Sequence, residues 1–130
     1  MNEITVQSKS RTGFIDITPS VQQFADGIGM KDGLITVFVP HTTAGVTINE
    51  NADPDVTADM ETVLDRMVPW SGGYRHSEGN TAAHVKASLM GSSVQVIVKS
   101  GKLRLGTWQS IYFCEFDGPR IRKIWLKESV

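Results

Sequence analysis

The start of the chain alternates. Ile4 and Val6 are interleaved with Glu3, Thr5 and Gln7, and a short apolar group at 14–17 follows the turn signal of Gly13, which predicts two short strands. Thr18-Pro19 then reads as an N-cap with proline in the first helical turn, and Val21, Phe24, Ala25 and Ile28 fall at helical spacing before Gly29. The run 34–39 is nearly all apolar and rich in β-branched residues, the pattern of a strand covered on both faces, and it stops at Pro40. After a polar turn at 41–44, Val46 and Ile48 alternate with Thr47 and Asn49, as in a strand running straight back.

The next segment changes period. Asp53 is a natural N-cap and Pro54 a natural first helical residue, with Val56, Met60, Val63, Leu64 and Met67 forming one apolar stripe. A glycine-bearing loop at 71–74 leads to a shorter helix capped by Asn80 or Thr81 and ending at Met90-Gly91. On a helical wheel Ala82, Val85 and Leu89 share the inward stripe, and His84 lies opposite with Thr81 and Ser88. Val94, Val96 and Val98 alternate in a strand, 111–116 forms another, and Asp117-Gly118-Pro119 turns the chain into a last strand over 121–126. Strands at both ends and helices between them predict an α+β fold, mostly an antiparallel sheet or sandwich with two or three inserted helices, in one domain spanning 1–130.

Composition narrows the functional classes. A chain of 130 residues with 40% hydrophobic content is the size of one domain, which buries roughly two-thirds of its unfolded surface. Thirteen Lys and Arg against 14 Asp and Glu leave no overall attraction for nucleic acid or an anionic membrane, so neither is an expected partner, and any anion site must be local. Cys114 is the single cysteine, so no internal disulfide framework or cysteine zinc cluster can form, and a cytoplasmic location is the expectation. No apolar run reaches the roughly 18 residues of a membrane span.

The histidines become the main source of candidate chemistry. His41, His76 and His84 all fall in the central third of the chain. Three neutral imidazoles converging would suit zinc and leave an open coordination position. His76 and His84 are eight residues apart, unlike the four-residue helical spacing of zinc proteases. His84 reads either as a solvated surface histidine or as a ligand aimed into a cleft or subunit interface. His41 ends a strand beside Thr42, Thr43, Ala44 and Gly45, which are small enough for close approach by a ligand. Glu50, Asp53 and Asp55 offer carboxylates to magnesium, although Asp53 and Asp55 also serve a helix start with no ligand at all. In a straight hairpin Glu50 would lie about 17 Å from His41, at about 3.3 Å per residue. The segment 100–107 places Lys102 and Arg104 between glycines, and Arg120, Arg122 and Lys123 follow later; such loops can cradle phosphate or simply be solvated turns. Trp108 reads as a sheet anchor and Cys114 as buried and inert.

Several motifs occur together in one order. They are His41-Thr42-Thr43-Ala44, Asn49-Glu50, His76-x-Glu78-Gly79-Asn80-x-x-x-His84, Gly106-Thr107-Trp108-Gln109 and Glu115-Phe116-Asp117-Gly118-Pro119-Arg120. With the run from Ser93 through Val96, Val98 and Gly101, they resemble the YjbQ-like family, described as secondary thiamine-phosphate synthases, over nearly the whole chain. The resemblance implies a compact β-rich domain, a homotrimer, and a histidine cluster near the subunit interface. There His41, His76 and His84 would hold a divalent metal ion, zinc or magnesium. It implies weak synthase activity that joins a hydroxymethylpyrimidine diphosphate to a thiazole phosphate and releases pyrophosphate. Glu50 and Glu78 would orient water or substrate, and Thr42, Thr43, Asn49, Asn80, Arg104 and Arg120 would contact the small phosphorylated substrate. The competing expectations are a metal-dependent hydrolase of another phosphorylated metabolite and a non-catalytic trimeric metal-binding module. Dedicated thiamine-phosphate synthases are unrelated barrels, so fold alone does not carry that activity.

Overall fold

A computed structural model describes all residues, 1–130. Strands β1 (Asn2–Gln7) and β2 (Gly13–Asp16) precede α1 (Thr18–Gly27); β3 (Gly33–Phe38) and β4 (Ala44–Glu50) precede α2 (Pro54–Met67) and α3 (Thr81–Met90). The chain finishes with β5 (Ser93–Lys99), β6 (Lys102–Arg104), β7 (Gln109–Glu115) and β8 (Ile121–Ser129). Two antiparallel sheets result, one ordered β1-β8-β3-β5-β6 and the other β2-β7-β4. The α+β sandwich with three helices is thus the architecture observed.

The sheets face each other across the main core, where Ile35, Val37, Val96, Ile124 and Leu126 of the larger sheet meet Val46, Ile111 and Phe113 of the smaller. Val21 and Ala25 of α1 close one side of this core. The other face of the small sheet carries Tyr112 and Cys114, which pack with Leu64 of α2 and Ala83 and Ala87 of α3. β7 is therefore covered on both faces, and its six residues from Ser110 to Glu115 are all buried. Burial pushes the Cys114 thiol up to about 12, so it is an inert core group.

Four local expectations change. The 34–39 run is not covered twice: Ile35 and Val37 are in the core, whereas Phe38 is exposed and nothing in the chain packs over that outer face. β3 and β4 do not form a hairpin, because β3 pairs with β5 and β8 while β4 crosses to the other sheet and pairs with β7. The α2 and α3 stripes are also narrower than their periods suggest. Only Leu64 of α2 is buried; Val63 and Met67 face outward, as do Val85 and Leu89 of α3. α3 instead buries Ala82, Ala83, Ala87 and the stem of Lys86, whose ammonium pairs with Asp65 of α2. Small residues let α3 lie close on the sheet. A Cβ on Gly45 of β4 would sit 2.6 Å from the carbonyl oxygen of Gly91, so the helix end and strand can meet only at glycine. Trp108, expected as an anchor, is 62% exposed.

Helix starts follow their chemistry unevenly. Asp53 Oδ1 accepts from the Asp55 amide at 2.9 Å and Pro54 opens α2, as the sequence predicts. Thr18 does not cap α1; its Oγ1 accepts from the Ile111 amide of β7 at 2.8 Å, tying the helix to the sheet.

Candidate functional site

The connection from β3 to β4 must cross from one sheet to the other at the end of the sandwich, and this crossing displays His41 and Thr42. Its backbone is held on every side: Val39 donates to Ser92 O at 2.8 Å, and Phe116 donates to Thr43 O at 3.2 Å. Beneath it lies a buried ion pair. Arg122 of β8 and Glu115 of β7 project into the space between the sheets, 3% and 0% exposed, and are joined by two hydrogen bonds, with Nε to Oε1 at 2.9 Å. Arg122 Nη2 also donates to Thr43 Oγ1 at 2.9 Å. Burial raises the carboxyl pKa of Glu115, but hydrogen bonds from Arg122 and the Asp117 amide outweigh it and hold the group below 4.5. The pair makes a charged floor for the crossing.

His41 is set by that floor. Its Nε2 accepts from the Lys123 amide at 2.9 Å, which places the proton of the neutral ring on Nδ1. Partial burial and then the positive charge of Arg122 hold its pKa below 6.5, so the ring is neutral at pH 7. His41 and Thr42 share a cleft of about 500 Å³ with Ala44 of β4, with His84, Ala87 and Ser88 of α3, and with Gly91 and Ser92. Ser88 lies one turn after His84 and donates to its carbonyl at 3.0 Å. The cleft thus has imidazoles from two separate elements and hydroxyls from a strand connection and a helix.

A second polar cluster adjoins α3. The ring of His76 stands edge to face with that of His84, centroids 5.5 Å apart. Asn80, 5% exposed, gives its Nδ2 hydrogens to Glu78 Oε2 at 2.9 Å and Asp117 Oδ2 at 2.8 Å, and Asp117 also receives Arg120 Nη2 at 3.0 Å. Asn80 Oδ1 is the one buried side-chain polar atom of the chain without a partner. Glu78, Asn80 and Arg120 are therefore gathered around Asp117, a residue the sequence motifs contain but whose central position they do not reveal.

The remaining predicted site residues separate. Thr43 is buried with its hydroxyl on Arg122, so it supports the crossing and offers nothing to a ligand. Arg122 is likewise internal, not part of a phosphate loop. Asn49 and Glu50 end β4, five and six residues beyond Ala44 or about 17–20 Å at about 3.3 Å per residue, so they lie at the opposite end of the strand from the cleft. Asn49 Oδ1 there accepts from the Glu50 amide, and the Glu50 carbonyl accepts from Tyr112 Oη. Arg104 lies on β6, the edge strand of the larger sheet, away from Arg120 in the β7–β8 loop.

The three imidazoles do not make a single-chain metal triad. No group of three or more His, Cys, Asp or Glu side chains is placed to hold an ion, and the Nε2 lone pair of His41 is already engaged by Lys123. A zinc site of the open type uses three protein ligands, and His76 and His84 supply two.

Sequence and structure comparisons agree on relatives. A family model described as "UPF0047 protein YjbQ-like" matches residues 2–129. The chain is 51% identical over 128 residues to UPF0047 protein YugU of Bacillus subtilis, covering 98% of this chain and 97% of that protein. It is 47% identical to UPF0047 protein MJ1081 of Methanocaldococcus jannaschii, covering 94% and 88% respectively. A crystal structure of a conserved YjbQ/UPF0047 protein from Clostridium acetobutylicum superposes with a TM-score of 0.97 at 56% identity, over 99% of this chain and 100% of that one. The conserved hypothetical protein TT1486 of Thermus thermophilus gives 0.93 at 38% identity, over 99% and 100%.

Proposed function

The chain belongs to the YjbQ-like UPF0047 family, and from its site we propose that it is an enzyme acting on a small phosphorylated substrate held in the His41–His84 cleft. The observation that carries this reading is the pairing, in one polar cleft, of a neutral imidazole fixed as an Nδ1–H tautomer with a second imidazole on a helix. His41 Nδ1–H, the His84 ring and the Thr42 and Ser92 hydroxyls supply hydrogen-bond donors of the kind a phosphate or diphosphate needs. Arg122, paired with Glu115 beneath the cleft, holds the crossing from below while remaining internal. We assign the thiamine-phosphate synthase reaction as the activity to test first, on the strength of the family resemblance. In it the bond from the pyrimidine methylene carbon to the diphosphate oxygen breaks, pyrophosphate leaves with the electron pair, and the thiazole nitrogen forms the new carbon–nitrogen bond. The residues' task is to accept the charge that accumulates on the leaving diphosphate.

The test is pyrophosphate release with both precursors present. His84→Ala is expected to lower turnover by about 10²-fold or more, since donors aimed at developing charge contribute on that order. Turnover unaffected by His84→Ala removes the cleft from the reaction. Phosphate release from a single phosphorylated compound, faster than pyrophosphate release from the pair and equally sensitive to His84→Ala, assigns the same cleft to hydrolysis.

A further inference from the structure

The outer face of the larger sheet concentrates charge that the whole chain lacks. Strand alternation puts Lys123 and Lys127 of β8, Lys99 of β5 and Lys102 and Arg104 of β6 on the side opposite the core residues Ile124, Leu126, Val96 and Val98. Five of the 13 Lys and Arg thus share this face, and the carboxylates beside them are Glu3 of β1, Asp32 just before β3, whose Oδ1 accepts from the Ser100 amide at 3.3 Å, and Glu128, which lies 3.4 Å from Lys127 Nζ. Net charge hid this arrangement because most of the compensating carboxylates are carried elsewhere.

The same face carries a platform of rings. Phe38 of β3 lies directly across from Trp125 of β8, and the two are stacked with centroids 5.8 Å apart and planes 22° apart. Trp125 is fixed by donation of Nε1 to Glu3 Oε2 at 2.9 Å, so Glu3 orients the indole while lying 3.8 Å from Lys123 Nζ. Phe38 is 39% and Ile97 57% exposed, and Thr36 and Gln95 are paired between them on the neighbouring strands. No helix covers this surface: α2 and α3 pack on the other sheet, and α1 closes the side of the core.

We propose that this sheet face binds single-stranded nucleic acid, with bases on the Phe38–Trp125 platform and phosphates along Lys123, Lys127, Lys99, Lys102 and Arg104. Charge complementarity selects a polyanion, and the stacked rings, Phe38 exposed and Trp125 half-buried, select one with flat bases available for stacking. A duplex buries its bases and offers only charge. Exposed aromatic residues on a sheet flanked by cations are the arrangement by which sheet-based single-strand binders hold two or three bases. Five strands about 4.8 Å apart give a face about 19 Å wide, enough for a few nucleotides.

Fluorescence anisotropy with a labelled oligouridylate of about 12 nucleotides, repeated with oligodeoxythymidylate, a duplex of equal length and heparin, tests the proposal. The intact chain should bind both single strands, more weakly the duplex, and log K should fall with log salt at a slope of about −2 to −3.5, as three to five neutralised phosphates require. Lys99→Glu/Lys102→Glu/Arg104→Glu should reduce affinity at least tenfold and flatten that slope. Phe38→Ala should reduce it about tenfold with the slope unchanged, which a purely electrostatic surface would not show. Circular dichroism establishes that these exposed variants fold. No binding at low salt overturns the proposal, as does equal affinity for heparin, duplex and single strand. Absence of binding with a change of oligomeric state in the Phe38 variant, seen by sedimentation, would identify the face as a contact between copies of the chain instead.

Discussion

Replacing Arg122 by methionine removes the cation from under the β3–β4 crossing while keeping most of its volume. Glu115, 0% exposed, would then be left as a buried charge with the Asp117 amide and Ser8 as its remaining partners. Stranding one member of a buried pair costs about 3–5 kcal/mol, against a total stability for small domains of about 5–15 kcal/mol. Unfolding entropy of about 2.1 cal/mol/K per residue gives about 0.27 kcal/mol/K for 130 residues, so the melting temperature should fall by about 11–18 °C. The pH dependence supplies a sharper signature. In the intact chain the Glu115 pKa lies below 4.5, so its contribution is complete above 4.5 and is lost as pH falls through the folded value. In Arg122→Met burial dominates and raises that pKa above 4.5, so the contribution of Glu115 changes sign and the variant's deficit shrinks as pH falls toward 4.5. Glu115→Gln added to Arg122→Met should restore much of the lost stability at pH 7, because no buried charge remains. Calorimetry at pH 7 and pH 5 on the two variants measures all of this. A loss under about 3 °C, or a double variant as unstable as Arg122→Met alone, would refute the reasoning. Because Arg122 also holds Thr43, the single variant should weaken ligand binding in the cleft above it.

Further expectations concern the cleft and its supports. His41, with its pKa below 6.5, takes up a proton more readily when the chain is unfolded, so stability should decline as pH falls below 6.5, and His41→Gln should remove that part of the decline in calorimetric scans. Gly45→Ala should cost about 1–3 kcal/mol by forcing α3 away from β4, measurable by urea titration; an unchanged midpoint would show that the close approach at 2.6 Å is readily relieved. Cys114, with its thiol at about 12 and no exposure, should not react with a thiol reagent such as DTNB until the chain unfolds, and labelling in native buffer at the rate of an unfolded control contradicts this.

Much of the element order was legible because period and punctuation are local properties. Asp53-Pro54 opens α2 as its chemistry predicts, Gly91 ends α3, and the alternation at 94–98 becomes β5. Three-residue β6 is too short to leave a periodic trace. The candidate site was legible in part: His41 and His84 do share a cleft, and Glu78 and Asn80 do meet, whereas Glu50 and Arg104 stand apart from them. The buried pair left a readable signal, since Glu115 and Arg122 continue the inward-facing positions of Ile111 and Phe113 and of Ile124 and Leu126. Their charges interrupt an otherwise apolar series.

The sequence by itself determined the fold class, most element boundaries, the family and the inventory of reactive side chains, because each depends on residue type and spacing along the chain. Only the tertiary structure decided which sheet each strand joins, and that choice set the rest. Sending β4 to the small sheet replaced a β3–β4 hairpin with pairing to β7, and leaving β3 covered on one side exposed Phe38 next to Trp125. Packing α3 on its alanine face turned His84 toward the crossing that carries His41. These are contacts between distant segments, decided by which apolar faces bury best against each other, and no local period encodes that competition.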